Sequence, residues 1–243
     1  MTDLKDMPPP PVSYEEWKRT YDPNRWREDR IAVTADVVLF VVIEKTLSVL
    51  LTRRAEWPDY GNWVLPGGFR RRAEVVEDTT RRILQEKVGI GPVQRLEGVK
   101  FYDAPDRDER DEIMSIAFVA LCPPTQATEA TNGGKWVAAA INGDKLQLDD
   151  EYISLGFDHG SIVADACDFA RRQMLADPLW IVPALSDDGT FTIAQLNAPR
   201  IALGIGMTED ALRRRVAKDH RVSTEGWVDT GTSKPSRQYA VSL

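Results

Sequence analysis

The sequence predicts an α+β fold in two parts: a mixed sheet with flanking helices, then a smaller unit of two helices and a basic hairpin. Three observations carry this expectation. Apolar, β-branched runs at Ile31–Ile43 and Leu47–Leu51 read as strands, the first of them either buried on both faces or a bent edge strand. Val76, Thr80, Ile83, Leu84 and Val88 recur at helical spacing within Glu74–Val88. The charges are also sorted along the chain. Its 243 residues carry 31 Lys+Arg against 38 Asp+Glu, a net −7, yet residues 211–243 hold seven bases against three acids, a local +4. An acidic total argues against nucleic acid, but it averages over unlike segments.

From the N-terminus, residues 1–12 are polar and proline-rich and are expected to form a disordered arm. Tyr14–Asp29 is aromatic and charged, with room for a helical turn. The loop AEWPDYGNW leads through Val64-Leu65 to Pro66-Gly67-Gly68, and Gly89 is the natural stop of the helix that follows. Strands are expected at Val99–Tyr102, Ile113–Leu121 and Trp136–Ala139, with a charged loop at 105–112 and a polar loop at 122–134. Asp158 is placed to cap a helix running to about Leu175, whose apolar face is Ile162, Val163, Ala166, Phe169 and Ala170. Asp177-Pro178 breaks it, and a boundary is expected at about 176–190. Phe191 to about Leu203 is a candidate helix, ending early if Pro199 stops it. Thr208 caps a second helix, and Trp227-Val228 and Gln238–Val241 are short strands joined by a polar loop.

Composition removes several classes. Hydrophobic residues are 42% of the chain, enough for a core. The longest apolar run, Val37–Ile43, falls far short of the roughly 20 residues of a membrane span. The first residues lack the apolar segment of a signal peptide. Two cysteines (Cys122, Cys167) and two histidines (His159, His220) argue against a disulfide framework and a zinc site. The expected location is cytoplasmic.

The segment from Gly68 to Ile90 resembles the Nudix signature. Gly68, Glu74, Arg82, Leu84, Glu86, Gly89 and Ile90 stand at its offsets, and Trp63–Phe69 (W-x-L-P-G-G-F) is similar to the stretch that precedes it. The resemblance implies a helix face of three glutamates holding magnesium against a diphosphate. Positions 83, 86 and 87 share that face, and here they are Ile83, Glu86 and Lys87. Magnesium requires oxygen ligands, which isoleucine and lysine do not supply. One reading is a divergent magnesium-dependent pyrophosphohydrolase of ADP-ribose or another nucleoside diphosphate derivative. It would recruit ligands such as Glu77, Asp78 or the acids of 106–112 and use the C-terminal unit for dimerisation or as a lid. The favoured reading is that hydrolysis is lost and binding kept, since lysine and arginine hold phosphates directly. On it there are no catalytic residues and no cofactor, magnesium entering only if hydrolysis survives.

On the helix after Thr208, Leu212 and Val216 point one way. Asp210, Arg213, Arg214, Ala217 and Lys218 point the other, with Arg221 just beyond. A cationic face suits a major groove, and Lys234 and Arg237 in the following loop suit the flanking phosphates. An ordinary solvated helix is the alternative.

The order of the pieces resembles the Nudix-related transcriptional regulators, the NrtR family. The resemblance includes Pro105-Asp106-Arg107-Asp108, Phe157-Asp158-His159, Phe191–Leu196 and the final Ser236–Val241. It departs from the family at the proline-rich start, at Ser236-Arg237-Gln238 and at Pro199. It implies a homodimeric repressor of NAD-metabolism genes that binds double-stranded operator DNA and senses an ADP-ribose-like nucleotide, a sugar or sugar phosphate being the alternative effector. It also implies four segments: an arm at 1–12, a Nudix-like effector domain at 13–157, a linker helix at 158–180 and a winged helix at 181–243. The effector is expected over Gly67, Gly68 and Phe69, with Arg53, Arg54 and Arg107 as partners. Glu74, Arg82 and Glu86 are expected to brace the loop. Arg213, Arg214, Lys218, Arg221, Lys234 and Arg237 are expected at DNA.

Overall fold

The computed structural model describes residues 13–20, 30–129, 133–149, 151–231 and 235–241. The arm expected at 1–12 and the wing residue Lys234 lie outside these residues. The chain divides into Met1–Ile31 and Ala32–Leu243. In the first unit, α1 (Tyr14–Thr20) carries Glu15 and Glu16 in its first turn and Lys18 and Arg19 in its last, matching the helix dipole. The Glu16 amide donates to Ser13 Oγ (3.2 Å), an N-terminal cap.

The second unit begins with β1 (Ala32–Ile43), β2 (Thr46–Arg53), β3 (Trp63–Val64), β4 (Gly67–Phe69), α2 (Val76–Val88), β5 (Arg95–Tyr102) and β6 (Ile113–Leu121). Then follow α3 (Pro124–Glu129) and β7 (Lys135–Ala138). The main sheet runs β3-β2-β1-β6-β5, with β4 added to β1 and β7 to β2. β1 is parallel to β6 and antiparallel to β2 and β4, so the sheet is mixed.

β1 is buried on both faces, and its period-2 pattern splits two apolar clusters. Val38, Phe40 and Val42 face the side covered by the helix His159–Ala176 and the C-terminal unit. Ala35, Val37, Leu39 and Val41 face α2 through Ile83, Leu84 and Val88. Gly89 ends α2 at φ +71°, and the Ile90 amide reaches back to the Leu84 carbonyl (3.0 Å).

A small antiparallel sheet of β8 (Ile141–Asn142), β9 (Lys145–Leu148) and β10 (Glu151–Ile153) leads to α4 (His159–Ala176). A 3-10 helix at Pro178–Ala184 is buried along its length. The last elements are β11 (Thr190–Thr192), α5 (Ile193–Ala202), α6 (Glu209–Val216), β12 (Val222–Val228) and β13 (Ser236–Val241). The three strands pair in the order β11-β13-β12 beside the two helices, giving the winged helix-turn-helix.

Several sequence expectations need correction. Thr190–Thr192 is a strand paired with Gln238–Ala240, so the helix expected from Phe191 starts at Ile193. The reason is local: Thr192 and Gln195 form a reciprocal capping box that sets the start. Pro199 is tolerated inside α5, which continues to Ala202. The loop expected at 122–134 contains α3. β5 starts at Arg95 and β12 at Val222, because long-range pairing with β6 and β13 extends short local signals. Asp158 stands at the start of α4 without capping it, since its carboxylate is bonded elsewhere. Among the described residues, no helix is long and apolar enough to cross a membrane.

Candidate functional site

A cleft of about 440 Å³ opens where β1, β2, β4 and α2 meet the start of α4. Its walls carry six cations (Arg53, Arg54, Arg82, Lys87, Arg107, Arg110) and three carboxylates (Asp36, Glu56, Asp108), so with neutral histidine they sum to +3 on a chain of −7. Gly67, Gly68 and Phe69 form the floor. Seven of the nine effector residues expected from sequence line this one cleft. Glu74 and Glu86 stand behind it.

The floor is shaped by what lies beneath. A Cβ on Gly67 would fall 1.9 Å from Asp36 Oδ1, so only glycine fits over that carboxylate. A Cβ on Gly68 would lie 3.5 Å from Ile83 Cγ1 and 3.6 Å from Lys87 Nζ. Those two positions of α2 therefore face the floor directly. Ile83 is fully buried. Lys87 Nζ donates to the Gly67 carbonyl. Burial of its ammonium, then the Arg54 charge, push the Lys87 pKa down.

Glu74 and Arg82 form the brace expected of them, with partners the helical spacing did not reveal. Arg82 Nε and Nη2 donate to Glu74 (2.7 and 2.9 Å), and Nη2 also holds the Phe69 carbonyl (2.9 Å). Glu74 further accepts from the Arg71 amide (3.0 Å) and Thr79 Oγ1 (2.8 Å). The Arg82 guanidinium, foremost, holds the Glu74 carboxyl down at about 2. Arg82 pairs with Glu86 only at 3.7 Å, and Arg71 takes Glu86 more closely at 3.1 Å.

Behind the floor is a buried polar network. Asp36 accepts from Ser115 Oγ (2.5 Å) and lies 3.6 Å from His159 Nε2 and 3.7 Å from Arg107. The Leu65 amide donates to His159 Nδ1 (2.9 Å), which puts the proton of the neutral ring on Nε2, facing Asp36. Burial lowers the His159 pKa, consistent with a neutral ring. Arg107 forks onto Asp158 (2.9 and 2.7 Å), so this expected effector partner is already bound at its charged end. Asp36, Ser115 and His159 had no recognisable sequence signal beyond the Phe157-Asp158-His159 run. Their 79- and 123-residue separations from Asp36 hide the cluster.

The mouth is aromatic and cationic. Arg53 lies over Trp63 (4.0 Å) and Arg54 over Phe157 (4.8 Å). Arg110 lies 5.2 Å from Phe69 and 5.8 Å from Phe157 while forking onto Asp108. Phe69 is half exposed, which suits it to a flat ring of a ligand.

The box implies a magnesium ion, and the donor set does not fit one. Isoleucine and a lysine ammonium occupy two of three ligand positions, and Glu86 is paired with Arg71. Among the described residues no group of three His, Cys, Asp or Glu side chains is placed to hold a metal.

The second expected surface is α6. Leu212 and Val216 are buried, while Arg213, Arg214, Lys218 and Arg221 are exposed. Arg213 pairs with the exposed Asp210 (2.7 Å), one turn away on the same helix. Arg221 instead grips Asp177 (both 2.9 Å) and Asp219 (3.0 and 2.7 Å). Its guanidinium, foremost, holds Asp219 down at about 2. Arg215, not singled out from sequence, donates to the Leu175 and Ala176 carbonyls (3.0 and 2.6 Å) at the end of α4. Arg200 is fully buried and donates to the Met174 carbonyl (2.6 Å). On the hairpin, Arg237 pairs across the strands with Trp227, its guanidinium 5.5 Å from an indole that is 68% exposed.

Comparison with known proteins agrees with this layout. The NUDIX domain family matches residues 33–152. The ADPR responsive transcriptional repressor NtrR of Acinetobacter baylyi is 28% identical over 221 residues, 87% of this chain and 82% of that protein. An ADP-ribose pyrophosphatase of Methanocaldococcus jannaschii is 42% identical over 79 residues, 32% of this chain and 46% of that protein. NrtR of Shewanella oneidensis superposes with a TM-score of 0.70 at 27% identity, covering 86% of this chain and 94% of that one. The same protein complexed with a 27mer DNA gives a TM-score of 0.66 at 26% identity, covering 86% and 93%. Its NUDIX domain complexed with ADP ribose gives 0.51 at 28% identity, covering 65% and 99%.

Proposed function

We propose that this chain, which belongs to the Nudix-related regulators of the NrtR type, is an ADP-ribose-responsive transcriptional repressor of NAD-metabolism genes. One observation carries the reading. A cleft of net +3, floored by a box that has lost two of its three metal ligands, sits on the same chain as a winged helix with exposed arginines. A hydrolase needs the box with its carboxylates intact, and a C-terminal unit serving it for dimerisation or as a lid does not need arginines exposed on a helix.

In this reading the effector's diphosphate lies over Gly67 and Gly68 and is held by Arg53, Arg54 and Lys87. A ring of the ligand stacks on Phe69 or Phe157. Arg107 and Arg82 act from behind, fixing the wall and the floor. Operator DNA takes Arg213, Arg214 and Lys218 in the major groove and Arg237 on its phosphates, with Lys234 of the wing assigned from sequence alone. Arg221 shapes the base of α6. The protein works as a homodimer in the cytoplasm, because one small basic patch on an acidic chain binds DNA weakly and two in register bind it well. The division of labour is an effector domain at 13–157, a linker at 158–180 and a reader at 181–243. Effector changes DNA affinity only by binding the DNA-competent and incompetent states unequally.

Gel retardation with the protein's own upstream region tests this. Retention that falls steeply with salt, and that ADP-ribose shifts by about tenfold or more, is expected. Retention that is absent or indifferent to salt would sink the regulator. Incubation with ADP-ribose and magnesium is expected to leave the ligand intact, and turnover at an ordinary enzyme rate would overturn the loss of hydrolysis.

A further inference from the structure

We propose that Lys87 replaces the divalent cation of the box, so that its tethered ammonium is the counter-charge for a nucleoside diphosphate and the cleft binds that ligand without metal. The inference deepens the effector reading above and rests on it.

The argument starts from position. Lys87 and Ile83 are the two residues of α2 directly beneath Gly68, where the resemblance places the metal face. Ile83 is sealed in the core, so no carboxylate can be supplied from that position. The Lys87 ammonium takes the Gly67 carbonyl, an oxygen that a hard cation would otherwise use. Of the other acids nearby, Glu86 is taken by Arg71, Asp36 by Ser115 and Asp108 by Arg110, which leaves the exposed Glu56 as a single carboxylate of the lining. A magnesium ion entering here would meet six protein cations and lose hydration for little return. A diphosphate meets the reverse situation. Its two or three negative charges face a cleft of net +3, with lysine as a compact point charge under the floor and Arg54 beside it. The same substitution leads to an expectation of binding without cleavage, because an ammonium does not activate water as a divalent cation does.

Calorimetric titration with ADP-ribose and with ADP, in EDTA and in magnesium, tests the proposal. Both ligands are expected to bind in EDTA, with magnesium changing affinity by less than about threefold. Lys87→Met is expected to weaken metal-free binding roughly 10- to 100-fold, the loss of a charge-assisted phosphate contact, and Lys87→Arg to retain most of it. Lys87→Glu is expected to abolish metal-free binding and to regain about tenfold or more from magnesium. Wild-type binding that requires magnesium overturns the proposal, and this comparison stands even if a variant fails to fold. Unchanged affinity in a folded Lys87→Met overturns it too. Metal-free, Lys87-dependent binding of ADP without ADP-ribose supports it while overturning ADP-ribose as the effector. Failure of both ligands in both buffers overturns both readings.

Discussion

The cleft and the helix α6 are both basic surfaces on an acidic chain, and they use their cations in opposite ways. In the cleft, Arg82, Arg107 and Arg110 are each forked onto a carboxylate: Glu74, Asp158 and Asp108. They build walls and leave Arg53, Arg54 and Lys87, which donate to backbone carbonyls rather than to carboxylates among the described residues, closest to a ligand. On α6, Arg213 and Arg214 project, and among the described residues both bond to the exposed Asp210. Arg215, from the same run, and Arg221, just beyond the helix, turn back onto the end of α4 and the Asp177 that follows it. A positive residue is available to a ligand only if no distant element has claimed it, and counting charges along the chain does not reveal which have been claimed.

Substitutions in the two regions should therefore separate cleanly. The largest effect is expected from Arg107→Ala. It strands Asp158 and Asp36 with a buried arginine gone (4% exposed), and should cost about 3–5 kcal/mol in urea unfolding. A loss under about 1 kcal/mol would mean that the wall does not depend on this pair. Gly67→Ala drives a methyl into Asp36 and should cost about 1–3 kcal/mol while removing effector binding. Arg213→Ala with Arg214→Ala should leave stability within about 0.5 kcal/mol. It should lower the slope of log affinity against log salt for DNA by about 2 per protomer. Arg215→Ala should do the reverse: about 1 kcal/mol less stable, from the lost bonds to the Leu175 and Ala176 carbonyls, with the salt slope unchanged. Similar behaviour of the two arginine variants would erase the contrast.

The smallest effect is one of pH. Glu74 titrates near 2 in the folded chain against 4.5 ordinarily, so the unfolded state binds the proton first. Its contribution is full above about 4.5 and is lost as pH falls toward 2. In Glu74→Gln, the acid limb of the unfolding curve should be shallower in that window. An unchanged limb would remove Glu74 from the acid response.

The sheet strands β1 and β6, the helices α2 and α4 and the capped α6 were legible because each has a local signal. Long apolar runs, helical spacing, a terminal glycine and a capping threonine act within one or two turns of chain. β11, the early start of β12 and the buried 3-10 helix were not legible, since their stability comes from partners tens of residues away. At the site, Gly67, Gly68 and Phe69 belong to one short motif and are named together from sequence, while Lys87 of the same motif stands out there only as a lost metal ligand. Asp36, Ser115 and His159 come from three separate segments and were found only when folding joined them.

The sequence by itself determined the kind of protein: an α+β chain with a box short of two metal ligands and a basic helix near its end. Residue identity settles these points, because isoleucine and lysine do not ligate magnesium in any fold. Only the tertiary structure decided how the charges are spent. Ion pairs depend on approach within a few ångströms between elements far apart in sequence, and only the folded chain set Arg107 on Asp158, Arg215 on the end of α4 and Lys87 under the floor of the cleft.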